Sequence, residues 1–258
     1  MTNDYIRVAH LSDAYEEGKP VLDDVSFTVS PGEFVCVLGP SGCGKSTLLS
    51  VLSGLRPPRA GDVEIAGNDL YGASNGEHRQ PRLGYVFQDP RLLPWRSIYD
   101  NIAFALTAAG VPKAEHEAVI MKHLRMLHIE EHRDSWPLNV SGGQRQRAGI
   151  ARALAVNPLY VLMDEPFSTL DEVTARTLRH ELLSVWEDTK TTVIFVTHSI
   201  REAVFLADRV FIMAANPGRL HGIREVDLGR PRVYEDARLT SLEASIVEDV
   251  RKIWGTAE

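Results

Sequence analysis

"LGPSGCGKSTLLSVLSGL", residues 38–55, sets glycine at Gly39, Gly42 and Gly44 and follows with Lys45, Ser46 and Thr47. The apolar run "EFVCVLG" leads in, and a helical pattern with Leu48, Leu49, Val51 and Leu52 leads out. Glycines let backbone N–H groups turn inward, a helix start adds positive potential, and lysine adds a full charge. The stretch therefore reads as a cradle for phosphate. Its spacing, Gly39-x-x-x-x-Gly44-Lys45-Ser46, is complete, with Pro40, Ser41 and Cys43 filling the loop. A strand–helix turn of no special purpose would share the flanks but not the whole spacing.

The rest of the chain bounds what such a P-loop can serve. At 258 residues it suits one large domain, or one with an insertion. A net charge of −7 argues against a general nucleic-acid binder, which usually shows a basic excess. Cys36 lies in the apolar run and Cys43 in the loop, so no disulfide framework is expected and a reducing compartment fits. The opening "MTNDYIRVAH" has neither a basic region nor an apolar core, so no signal peptide is expected. No apolar run approaches the ~20 residues of a membrane helix. A chain like this is expected to be soluble by itself, and to need a partner if it works at a membrane.

The order of patterns predicts an α/β fold. "YIRVAHL", "VSFTV", "DVEIAG" and "LGYVFQD" read as strands around the loop. From about residue 98 to 156 the pattern is helical, in "SIYDNIAFALTAAG", "KAEHEAVIMKHLRMLHI" and "SGGQRQRAGIARALAV". After Pro158 strands return as "LYVLMDEP", "TTVIFVTH" and "DRVFIMAA". This is a strand–helix alternation around a parallel sheet with a helical block inserted. The expected division is a core lobe of about 1–88 and 158–225, a helical subdomain of about 89–157, and a tail of about 226–258. A helix is expected from Leu242 to Trp254. The tail either packs on the core or regulates.

Two further stretches carry chemistry. "LYVLMDEP" delivers Asp164 and Glu165 at the end of an apolar strand, where ligands bind in parallel sheets. Beside a P-loop, Asp164 and Ser46 suit Mg²⁺, which takes oxygen ligands and keeps waters. Glu165 is then the candidate general base, or the group orienting the attacking water. "VSGGQRQR", residues 140–147, admits two readings. Ser141 with Gln144 is a capping box, and a glycine pair opening a helix is also an anion site. His128 and His132 are four apart, but no acidic or cysteine partner completes a metal site, so a solvated or capping role is expected. Arg145 and Arg147 read as helix-surface charges.

"VSGGQRQR" about twenty residues before "VLMDEP", and downstream of the P-loop, resembles the signature of ABC-transporter ATPases, with Val140 where leucine is usual. Other landmarks of that family follow in order: Gln88 in "YVFQDP" as the Q-loop, Asp171 in "STLD" as the D-loop, and His198 in "FVTHS" as the switch histidine. Tyr15 in "DAYEEG" stands where the family places an aromatic ring against adenine. The resemblance implies a RecA-like P-loop core with the helical subdomain inserted, ATP and Mg²⁺ as cofactors, and hydrolysis to ADP and phosphate. It implies a head-to-tail dimer in which the cradle of one copy, residues 39–47, faces Ser141, Gly142, Gly143 and Gln144 of the other. Lys45 would contact the β- and γ-phosphates, His198 the γ-phosphate, Gln88 the metal and the attacking water, and Asp171 the dimer contact.

"DPRLLPWRSIYDNIAFAL" after Gln88, and "DLGRPR" at residues 227–232, narrow the resemblance to the ATPases of nitrate, aliphatic sulfonate and taurine importers. This implies membrane permease subunits on separate chains, a solute-binding protein acting through them, a place on the cytoplasmic face of the membrane, and no nucleic acid. Leu92, Leu93 and Trp95 form an apolar knob that either meets a partner helix or fills the seam between lobes. An exporter ATPase, or a soluble ABC ATPase acting on nucleic acid or ribosomes, is the alternative. Cys43, inside the cradle, predicts that bulky thiol reagents inactivate and that ATP protects.

Overall fold

The structure, a computed structural model, describes residues 5–16, 18–72 and 81–255; the first four residues of the opening segment lie outside it. The chain forms two compact units, Met1–Gln80 with Thr192–Glu258, and Pro81–Thr191.

In the first unit, β1 (Ile6–Glu16) pairs antiparallel with β2 (Lys19–Val29). On the other side of β1, the first unit also carries β4 (Ala60–Ile65), followed by the two-residue β5 (Asn68–Asp69). Ile6 and Val8 face inward while Arg7 faces out, the alternation of a half-buried strand; an irregularity at His10, with φ +51°, then shifts the phase, so that His10 is exposed and Leu11 buried. Both strands run well past the apolar segments that announced them. With register shifts between Val8 and Glu16, β1 continues through Ser12, Asp13 and Tyr15 to Glu16.

A second group of strands in this unit centres on β3 (Phe34–Leu38), all five residues buried. It lies parallel to β8 (Thr192–Thr197) on one side and β9 (Arg209–Ala214) on the other. Burial on both faces explains its unbroken apolar run. Strand β10 (Arg219–Glu225) adds antiparallel to β9; its polar sequence left it unannounced. Helix α1 (Lys45–Leu52) follows β3, and α6 (Ile200–Leu206) follows β8.

The tail packs on this core. Helix α7 (Ala237–Trp254) starts five residues before the expected Leu242, because Asp236 caps it by accepting from the Arg238 N–H. Leu239, Ile246 and Val250 are buried, and Trp254 Nε1 donates to the Met213 carbonyl at 2.9 Å. In "DLGRPR", Arg232 is buried and donates to the carbonyls of Val204, Phe205 and Ala207, closing the end of α6. Burial pushes its guanidinium down to about 10.

In the second unit, β6 (Leu83–Val86) and β7 (Tyr160–Asp164) are parallel. The helices are α2 (Ile98–Ala108), α3 (Lys113–Met126), α4 (Gly142–Ala155) and α5 (Glu172–Thr189). Gly84 lets α4 come close to β6, since a Cβ there would sit 2.6 Å from the Ala153 carbonyl oxygen. Buried Asn101 fixes the loop before α2, accepting from Leu93 N and donating to the carbonyls of Leu93, Arg96 and Ser97. Trp95 stays 66% exposed beside that clamp.

Candidate functional site

The phosphate loop turns from β3 into α1. Gly42 and Gly44 take φ of +80° and +93°, a region that favours glycine. A Cβ on Gly44 would also meet Leu22 Cδ2 at 2.6 Å, and one on Gly39 would meet Cys43 Sγ at 2.5 Å. Lys45 is buried and curls back over the loop, donating to the carbonyls of Gly39 at 2.8 Å and Pro40 at 2.9 Å. Ser41, Gly42 and Ser46 are exposed, while Cys43 and Thr47 are buried. Pro40 is half-buried. Behind the loop, a Cβ on Gly218 would fall 2.1 Å from the Cys43 carbonyl oxygen. That glycine, in the unremarkable turn "NPGR", is required by backbone contact, and the sequence held no signal of it.

Two other predicted residues flank this loop in the same unit. Tyr15 is 61% exposed, with its hydroxyl 3.0 Å from Thr47 Oγ1. The Arg56 guanidinium lies over its ring, 4.2 Å from the centroid. His198 is exposed immediately after β8. Its turn is fixed from both sides: Thr197 Oγ1 donates to buried Glu202 at 2.6 Å and accepts from Ser199 N at 3.0 Å. Within β3, burial pushes the Cys36 thiol well up, Glu202 adding and Lys45 opposing.

The second unit carries the carboxylates and the signature. Asp164 ends β7 and Glu165 follows with φ +42°, an unusual conformation for a side chain with a Cβ. Burial and the charge of Asp164 push the Tyr85 phenol up, so that charge is felt on the neighbouring strand. Gln88 is exposed; its Nε2 donates to Ser168 Oγ at 3.0 Å, and Ser168 Oγ donates to the Glu165 carbonyl at 2.9 Å. Asp171 is the cap of α5, accepting from Thr174 N at 3.0 Å. That bond holds its carboxyl below the usual range.

The capping box of the signature is complete: Ser141 Oγ accepts from Gln144 N, and Gln144 Oε1 accepts from Ser141 N at 2.8 Å. The other end of the Gln144 amide meets His132 Nε2 at 2.6 Å, so His132 braces the box. Gly143 is buried against Thr174, where a Cβ would meet Cγ2 at 2.7 Å, while Gly142 has room. The arginines after the signature are tied down: Arg145 donates to Val140 O, and Arg147 to Leu127 O while pairing with Glu181. His128 takes φ +51° just past α3, a turn position. Among the described residues, no cluster of three histidines, cysteines or carboxylates is placed to hold a metal. The oxygens of Ser46, Asp164 and Gln88 are hard donors of the kind that suit Mg²⁺.

A glycine cradle opening a helix after a parallel strand, with a carboxylate ending another, defines a P-loop nucleoside triphosphatase. Residues 22–168 match the family model described as "ABC transporter". The chain belongs to that family, and is an ABC-type ATP-binding ATPase. It is 44% identical over 230 residues to the "Uncharacterized ABC transporter ATP-binding protein MJ0412" of Methanocaldococcus jannaschii, covering 88% of this chain and 84% of the relative. It is 44% identical to the taurine import ATP-binding protein TauB of Escherichia coli O157:H7, covering 83% and 82% of the two chains. Among solved structures, the MJ0796 cassette described as dimeric, in a post-hydrolysis state with ADP and Pi, superposes with a TM-score of 0.75 at 28% identity, over 87% of this chain and all of that one.

Proposed function

We propose that this protein hydrolyses ATP to drive a membrane importer of small oxyanions, with taurine and related sulfonates as the favoured cargo. One observation carries the reading: the likeness to TauB spans 83% of this chain, and the family match, residues 22–168, takes in both the cradle and the signature. The segment around Trp95 agrees with it.

In this reading the loop amides and Lys45 hold the β- and γ-phosphates. Ser46, Asp164 and the Gln88 carbonyl oxygen hold Mg²⁺, whose charge would offset that of the phosphates. Glu165 takes the proton of the attacking water, oriented with Gln88, and His198 meets the γ-phosphate. Tyr15 stacks on the base. Ser141, Gly142, Gly143 and Gln144 close over the nucleotide held by a second copy, with Asp171 at the dimer contact, so positive helix starts meet the triphosphate from two sides. The dimer docks on separate permease subunits at the cytoplasmic face of the membrane, and a solute-binding protein supplies cargo. No described helix is long and apolar enough to cross the membrane.

Glu165→Gln tests the chemistry. The variant is expected to bind ATP and pair with a second copy while turnover stops; hydrolysis at the wild-type rate would refute the assignment. Growth of a deletion strain on taurine, alkanesulfonates or nitrate as sole sulfur or nitrogen source tests the cargo. Selective loss on sulfonates is expected.

A further inference from the structure

Arg56 belongs to no motif of the sequence, yet it is among the most constrained side chains near the cradle. It follows α1 by four residues and reaches across to β1. Its Nε donates to Asp13 Oδ2 at 2.5 Å, and its Nη2 donates to Asp13 Oδ1 at 3.2 Å and to the Ala14 carbonyl at 2.9 Å. Asp13 is only 2% exposed, so this is a two-point bond to a buried carboxylate. The backbone of Arg56 is held as well, its carbonyl lying 2.7 Å from the Tyr71 hydroxyl. The guanidinium so fixed lies 4.2 Å from the centre of the Tyr15 ring.

Tyr15 is therefore held at two places. Arg56 covers one face, and the hydroxyl is tied to Thr47 in the first turn of α1. The residue is still 61% exposed, so what it offers to solvent is the opposite face and an edge. An exposed tyrosine at a strand end would otherwise sample several rotamers, and ordering it on binding would weaken the complex.

We propose that Arg56 is a positioning residue for the nucleobase: locked by Asp13, it backs the Tyr15 ring and presents the ring's open face to the purine of a nucleoside triphosphate. This rests on the reading of Tyr15 as the base-stacking residue. Because Nε and Nη2 of Arg56 are turned to Asp13 and the Ala14 carbonyl, the guanidinium is anchored at β1 and its part is to hold the stack. Arg56 thus strengthens ATP and GTP binding alike and contributes nothing to a ligand without a base.

The test compares ATP, GTP and inorganic tripolyphosphate on the full-length chain. Arg56→Ala is expected to raise KM for ATP and GTP by about 3- to 10-fold, the size of a cation–π contact, with kcat held. Inhibition by tripolyphosphate should be unchanged. Arg56→Lys should recover most of the loss, and Arg56→Ala should add nothing on a Tyr15→Ala background. Since Arg56→Ala strands a buried carboxylate, Asp13→Asn with Arg56→Ala provides the same measurement in a chain without that charge. Equal weakening of ATP and tripolyphosphate would overturn the proposal, as would an ATP affinity that depends on Tyr15 but not on Arg56. If Tyr15→Ala itself binds ATP normally, the stacking role of Tyr15 is what fails, and the role of Arg56 falls with it.

Discussion

Gln88 is tied to Ser168. The amide nitrogen donates to the serine hydroxyl at 3.0 Å, and that hydroxyl donates onward to the Glu165 carbonyl at 2.9 Å. Gln88 and the backbone of the candidate base are thus joined through one side chain. In a chain where Gln88 orients the attacking water, Ser168 governs where its amide oxygen points. Ser168→Ala should lower kcat at saturating ATP by about 3- to 10-fold, the worth of one or two ordinary hydrogen bonds, with KM for ATP unchanged. Ser168→Thr, which keeps the hydroxyl, should retain most activity. Steady-state ATPase assays decide; a wild-type kcat in Ser168→Ala would show that Gln88 is placed by something else.

The two glycines of the signature separate packing from ligand contact. At Gly142 a Cβ would make only ordinary contact, 3.6 Å from Leu170 Cδ2, and the position is helical, where alanine is favoured. Gly142→Ala should melt at the wild-type temperature or slightly above, yet lose ATPase activity by about 10-fold or more if the added methyl keeps the helix-start amides from closing on the phosphate of a second copy. At Gly143 the added methyl would meet Thr174 Cγ2 at 2.7 Å. Gly143→Ala should cost about 1–3 kcal/mol of stability from overpacking. Thr174→Ala should restore the melting temperature of Gly143→Ala but not its activity. Thermal melts and ATPase rates on the same preparations provide both readouts.

How much of this was legible beforehand differs by the kind of force involved. The buried strands β3, β7, β8 and β9 showed themselves as apolar runs because burial on both faces demands it. The cradle and the capping box at Ser141 were legible because backbone geometry dictates their residues. Strand β10 was hidden, since its residues alternate between half-buried and exposed and its place comes from pairing with β9. Arg56, Ser168 and Gly218 were hidden for a different reason. Each acts through a contact to a residue distant in sequence, Tyr15, Gln88 and Cys43 respectively, and spacing carries no record of such contacts.

Cys43 was expected to react with bulky thiol reagents, but its side chain is fully buried beneath the loop. Reaction therefore requires the cradle to open. Ellman's reagent on the native chain should show no fast thiol: Cys36 is also buried, and its thiolate is disfavoured by that burial. Unfolding in urea should expose both thiols, and ATP should slow the native reaction further by holding the loop closed. One fast equivalent on the native chain would show a looser loop than this packing allows.

His123 makes the stability of the second unit depend on pH in the acid range. It is half-buried on α3, with Nδ1 2.8 Å from the Val119 carbonyl. Burial pushes its imidazole below the ordinary value of 6.5, Lys122 adding to the shift and the Val119 bond opposing it. The unfolded chain therefore takes up this proton at a higher pH than the folded one. Between the two values the unfolded state binds more protons, so stability rises with pH across that window. The contribution is complete above pH 6.5 and is lost as pH falls through the window to the lowered folded value. The difference between two chains that differ only at this residue isolates its contribution. The melting temperature of the wild type minus that of His123→Gln, recorded from neutral pH downward, should decrease as pH falls below 6.5. A constant offset across that range would show that His123 is as easily protonated in the fold as outside it.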